Sequence, residues 1–163
     1  MQNNPQLYYQ LGGEAGTIQT VGMMRTLVNR AVIHPWIRQR AIRLVTWCKR
    51  NIVCEERTLT GYTNRAISFI RDPAGTEALH DPVTFYEARI RQGIKPAGDC
   101  DDMAMYLATL LKSIGHRPMF RLIDRLGTGG FHHVMVHCHG VDYDPTLSTV
   151  PDEPVAREIF YEV

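Results

Sequence analysis

The apolar residues of this chain change their repeat at Gly115. From about Asp101 to Ile114, Met103, Leu107, Leu110, Leu111 and Ile114 recur at three and four, the spacing of one helix face. Acids in the first turn, Lys112 in the last and Gly115 just beyond give this helix favourable ends. After Gly115, Met119 to Asp124, Phe131 to Cys138 and Val141 to Tyr143 alternate or run β-rich, parted by Gly127-Thr128-Gly129-Gly130 and by His139-Gly140. Helices first and an antiparallel sheet second is the order of an α+β fold.

Upstream, Ile18, Val21, Met24, Val28, Ala31 and Val32 hold one helix face, and His34-Pro35 breaks the run. A second helix from Pro35 carries Ile37, Ala41, Leu44, Cys48 and Ile52, so a helical hairpin is expected. A third helical pattern lies between Thr58 and Asp72, stopped by Asp72-Pro73-Ala74-Gly75 and followed by an acidic loop. His80-Asp81-Pro82 reads as the start of a helix running to Arg91. The chain then loosens through Gly93, Pro96 and Gly98 ahead of Cys100. Leu147 to Pro154 reads as a loop, and Ile159 to Val163 as a last strand.

At 163 residues the chain suits one core, here expected as a single domain. Within it, 1–13 reads as a flexible or loosely docked arm, 14–57 as a basic helical segment, 58–146 as the chemical core and 147–163 as a closing loop and strand. With 44% hydrophobic and 21% charged residues, collagenous, disordered and disulfide-scaffold classes are excluded. No apolar run approaches the roughly 20 residues of a membrane span. The opening Met1-Gln2-Asn3-Asn4-Pro5 has no basic and apolar regions of a secretory signal, so a reducing cytoplasm is the expected compartment. Cys48, Cys54, Cys100 and Cys138 lack a CxxC spacing and are expected as free thiols.

A net charge of +1 hides an asymmetry. Between Ala15 and Cys54 there is no Asp or Glu, while Arg25, Arg30, Arg38, Arg40, Arg43, Lys49 and Arg50 are all cationic. This segment, with Trp36 and Trp47, reads either as a solvated arginine face on two helices or as a docking surface for an acidic or assembly partner; without a recognition motif, nucleic acid is not the expected partner.

Two places carry chemistry. Cys100 enters a helix, where unpaired backbone N–H groups and the helix dipole favour a thiolate and an oxyanion. Asp99, Asp101 and Asp102 oppose that thiolate unless turned away. The second place is the run from Phe131 to Thr146, which holds four of the seven histidines. A two-residue loop at His139-Gly140 sets Met135 opposite Asp144 and His137 opposite Asp142. His133, Met135, His137, Asp142 and Asp144 then share one sheet face, with His132, Val134, Val136 and Tyr143 on the other. Asp144 becomes the diagonal neighbour of His133, about 7–8 Å away between backbones. Thiol, imidazole and carboxylate together form an activated-nucleophile set.

Gly98-Asp99-Cys100-Asp101-Asp102-Met103-Ala104, Leu107 to Gly115, Arg117-Pro118, His133-Val134 and Asp144-Pro145-Thr146 together resemble the core of the transglutaminase-like superfamily of papain-type thiol enzymes. Ile70-Arg71-Asp72-Pro73 and Asp81-Pro82 resemble lead-ins of its compact bacterial and phage members. The likeness covers about 58–146. It implies a papain-like fold with N-terminal helices and an antiparallel sheet packed on the nucleophile helix. It also implies Cys100 as nucleophile, His133 as general base and acid, and Asp144 as the group fixing the imidazole tautomer.

The implied reaction is acyl transfer from an amide through a thioester, on a protein or peptide substrate. Hydrolysis by a peptidase or amidase is favoured over cross-linking, because Met135 and His137 stand where the family often has an aromatic residue and an acid. Gln92 and Tyr86 are candidate upstream oxyanion donors. A structural or adaptor module of a larger assembly, such as a phage particle, is the alternative from another class. No cofactor or metal is expected: neither His132, His133, His137, Cys138 and His139 for zinc, nor Asp99, Asp101 and Asp102 for calcium, has a recognised ligand spacing.

Overall fold

Helix α5 (Cys100–Ser113) is the axis around which the other elements pack. The structure, a computed structural model, describes residues 6–9, 13–73, 76–147 and 154–163. Every α5 residue from Asp102 to Leu111 is buried, so the helix is enclosed on all sides rather than along one stripe. One side is covered by α1 (Gly13–Val32), α2 (Pro35–Val45), α3 (Ile52–Ala66) and α4 (Pro82–Ile90). The other meets β6 (His133–Cys138) of a four-stranded antiparallel sheet, ordered β7-β6-β5-β8. Its remaining strands are β5 (Met119–Asp124), β7 (Val141–Tyr143) and β8 (Arg157–Glu162). The architecture is α+β, with N-terminal helices and an antiparallel sheet packed on the Cys100 helix. Among the described residues, no helix is long and apolar enough to cross a membrane.

Two small strand pairs complete the fold. β1 (Gln6–Tyr9) runs antiparallel to β3 (Thr76–Leu79), and β2 (Ser68–Phe69) runs parallel to β4 (Ala97–Gly98). Residues 6–9, expected within a loose arm, are therefore paired, and the expected acidic loop contains a strand. The third helix begins at Ile52 and ends at Ala66, so Phe69 belongs to a strand rather than to its apolar face. The second helix stops at Val45, because a 3-10 turn (Thr46–Cys48) and left-handed Lys49 and Arg50 turn the chain into α3. Most of the expected loop from Leu147 to Pro154 lies outside the described residues, and the last strand starts two residues earlier than the sequence indicates.

That corner corrects a second expectation. Cys48 and Cys54 are joined as a disulfide, with Cα atoms 5.6 Å apart, rather than being free thiols. A spacing of six residues gave no hint of the sharp reversal that brings the sulfurs together. Cys100 and Cys138 are free.

The β6–β7 hairpin has the register set by its turn. His137 pairs with Asp142 and Cys138 with Val141, leaving His139 and Gly140 as the two loop residues. Both have positive φ, 48° and 78°, as a type I′ turn requires. Val134, Val136, Cys138 and Tyr143 are consequently buried on the α5 side.

Candidate active site

Cys100 is the first residue of α5, and Asp99 is its N-cap. The Asp99 carboxylate accepts the Asp101 N–H at 3.1 Å, while Asp102 Oδ2 accepts the Asp99 N–H at 3.3 Å. This reciprocal cap fixes the entry of the chain into the helix. The Cys100 sulfur accepts from the Val134 backbone N–H and lies 3.7 Å from Asp101 Oδ1.

Asp102, one of the three acids opposing a thiolate by position, is turned away from the sulfur towards His80. Asp99 and Asp101 remain, joined by Glu77, while Asp72 lies beside Asp99 and Glu77; neither Glu77 nor Asp72 stands out by position in the sequence. Burial raises Asp99 to about 8, aided by the charges of Asp102, Asp72 and Glu77. Burial and Asp101 raise Glu77 to about 9, and burial and Asp99 raise Asp101 to about 7.

The thiol follows the same logic. Burial, then Asp101 and Asp99, push Cys100 well above the ordinary thiol value, against the lowering expected at a helix N-terminus. Loss of hydration and two neighbouring carboxylates outweigh the helix dipole. The resting group is a thiol, not a preformed thiolate.

His133 opens β6, and Asp144 follows β7. His133 Nε2 is 2.5 Å from Asp144 Oδ2. The other carboxylate oxygen, Oδ1, accepts the Thr146 N–H at 2.9 Å and its hydroxyl at 2.6 Å. Burial works to raise Asp144, but the bonds from His133 and Thr146 prevail and hold it below the usual carboxylate range. With Nε2 engaged, Nδ1 is the ring nitrogen left for proton exchange.

Cys100 and His133 line the same two adjoining cavities, of about 480 and 190 Å³. Asp99, Glu77 and His132 line both, Phe69, Arg71 and Asp72 close the larger, and Thr17 and Thr20 of α1 close the smaller. Among the described residues no hydrogen bond joins the sulfur to the imidazole, a separation common before substrate binds. Neither Gln92 nor Tyr86, the candidate oxyanion donors, lines these cavities; Tyr86 instead packs its ring against His34.

The other histidines of the run disperse. His132 bonds Thr128 Oγ1 at 2.7 Å, His137 bonds Asp142 Oδ1 at 2.7 Å, and His139 turns to Glu56. The five-residue zinc set read from the run is therefore not assembled. In the calcium set, Asp99 and Asp101 stay close while Asp102 is diverted.

No family model matches the chain, and no curated protein matches it. Among solved structures, a crystal structure described as a "Putative Cysteine Protease" from Cytophaga hutchinsonii is similar, with 15% identity and a TM-score of 0.48. The match covers 77% of this chain and 42% of that one, so this chain spans less than half the length of that protein.

Proposed function

We propose that this chain is a transglutaminase-like cysteine enzyme that hydrolyses an amide bond through a thioester. Cys100 acts as nucleophile, His133 as general base and then acid, and Asp144 as the group that fixes the imidazole. The observation that supports this reading is the sharing of one cavity by Cys100 and His133, whose imidazole is paired from behind with the buried Asp144.

Because the thiol is held protonated, its proton passes to His133 Nδ1 as the sulfur attacks the carbonyl carbon. The resulting oxyanion is stabilised by N–H groups at the start of α5, including that of Cys100. Collapse of the tetrahedral intermediate breaks the C–N bond, and His133 returns the proton to the departing amine. Water, deprotonated by the same imidazole, then cleaves the thioester and restores the thiol. Asp144 keeps the second imidazole proton on Nε2 throughout.

The test is the rate of Cys100 alkylation against pH, with peptide mapping, in the native chain and in His133→Ala. A Cys100 rate well above that of Cys138, dropping on loss of the imidazole, supports the enzyme. Equal reactivity of both free thiols, indifferent to His133, rejects it.

One observation favours the docking-module reading. Ile33, Trp36 and Trp47 are all exposed within the acid-free stretch, with Trp47 68% accessible. Apolar surface amid arginines suits an acidic assembly partner.

A further inference from the structure

Away from the Cys100 cavity, four side chains of metal-binding type meet from three parts of the chain. Glu56 comes from α3, His116 from the turn after α5, Cys138 from the end of β6, and His139 from the hairpin turn. One ligand atom of each lies within 4.8 Å of all the others. His116 Nδ1 is 3.1 Å from Glu56 Oε1, and Cys138 Sγ is 3.4 Å from His139 Nδ1. His139 Nδ1 also contacts that same Glu56 oxygen. The two imidazoles cross nearly at right angles, 82°, with ring centres 5.2 Å apart.

We propose that Glu56, His116, Cys138 and His139 form a structural zinc site. Zinc bonds of about 2.0–2.3 Å at tetrahedral angles set ligand atoms about 3.2–3.6 Å apart. The His116–Glu56 and Cys138–His139 separations, 3.1 and 3.4 Å, are close to the edges of such a tetrahedron, while His139 and Glu56 share a closer hydrogen bond that would open as the ion enters between them. Two imidazoles, one thiolate and one carboxylate suit zinc, whereas calcium and magnesium take oxygen ligands alone.

The surrounding groups fit the same role. His116 Nε2 is 2.7 Å from Glu55 Oε2, the carboxylate–histidine pairing that orients a metal-binding ring. The Tyr143 hydroxyl donates to Glu56 Oε2 at 2.6 Å, which leaves Oε1 for the ion. His139 sits at φ 48°, a turn position where Asn or Gly is usual, so a left-handed backbone is accepted to hold an imidazole there. Glu56 and Cys138 are fully buried, while His139 is exposed and gives the ion its way in.

Protons and charge balance. Zinc takes the Nδ1 lone pairs of both rings, so each ring proton resides on Nε2, where that of His116 donates to Glu55. The Cys138 thiol releases its proton to solvent as the Zn–S bond forms. One dication with thiolate and carboxylate makes a neutral centre. Four protein ligands close the coordination sphere, so the ion fastens α3 and the turn after α5 to the hairpin and performs no chemistry.

The test uses the full chain stripped by a chelator and titrated with zinc or cobalt. The expected result is one ion per chain, a Tm that falls on chelation, and a cobalt spectrum with tetrahedral d–d bands and a sulfur-to-cobalt charge-transfer band. Cys138→Ser should remove the charge-transfer band. His139→Gly, which suits the left-handed turn and should fold, should weaken zinc binding by about tenfold or more. Cys100→Ser should leave stoichiometry and spectrum unchanged. Absence of a charge-transfer band, zinc binding indifferent to His139→Gly, or loss of the band in Cys100→Ser would each overturn the proposal.

Discussion

His80 grips Asp102 at both oxygens: its backbone N–H donates to Oδ1 at 2.8 Å and its Nδ1 lies 2.8 Å from Oδ2. The acid is thereby pinned beneath the loop that presents Cys100. A Cβ at Gly98 would lie 2.6 Å from Asp102 Oδ2, 2.7 Å from its Cβ and 2.9 Å from Phe85. With Asp102 held by His80, little can yield. Gly98→Ala should therefore cost about 1–3 kcal/mol in urea unfolding and slow Cys100 labelling. Wild-type stability in that variant would show that the loop is not clamped.

Asp101 raises the Cys100 thiol by its charge, and its Oδ1 accepts a hydrogen bond from the thiol at 3.7 Å. Asp101→Asn removes that charge, so the thiol should ionise more readily. Alkylation of Cys100 should accelerate by about tenfold for each pKa unit recovered. Because burial and Asp99 raise Asp101 itself to about 7, the gain should be largest above that pH. A rate unchanged at pH 8 would mean that burial alone controls the sulfur.

The raised acids carry a stability consequence. Asp99 and Glu77, at about 8 and 9 in the folded chain, bind more protons there than when unfolded. Their contribution is complete below the ordinary carboxylate range and is lost as pH rises through those folded values. The Tm should fall from about pH 5 to pH 9 by roughly 5 °C or more, and Glu77→Gln should flatten the fall. A wild-type Tm rising across that range would contradict this.

The Cys48–Cys54 bond closes a short loop, with a sequence separation of 6. Restriction of the unfolded chain by so small a ring is worth about 2 kcal/mol. Cys54→Ser should therefore lower the unfolding free energy measured in urea by that amount, and reductant should do the same to the native chain while leaving the variant unaffected.

What the sequence made legible follows from which forces are local. The β5, β6 and β7 segments and α5 show their repeats openly, and the two-residue turn fixes the His133–Asp144 pairing by counting alone. β1 and β3 are four residues each, too short to show a repeat of their own before they pair. The end of α2 was hidden because Lys49 and Arg50 take a left-handed backbone usually left to glycine. At the site, the proximity of imidazole to carboxylate was readable, but the state of the thiol was not. Burial sets it first, then Asp101 and Asp99, and Glu77 adds to them from a strand far from Cys100 in order.

The tip at His139-Gly140 works like a reading frame for the strand that follows. One residue inserted before Val141 would invert every later side chain at a stroke. Asp144 would leave His133, and Tyr143 would leave Glu56, although no individual contact had been mutated. Length variation at this tip is thus confined to even steps, a constraint stricter than any on the identity of the residues it carries.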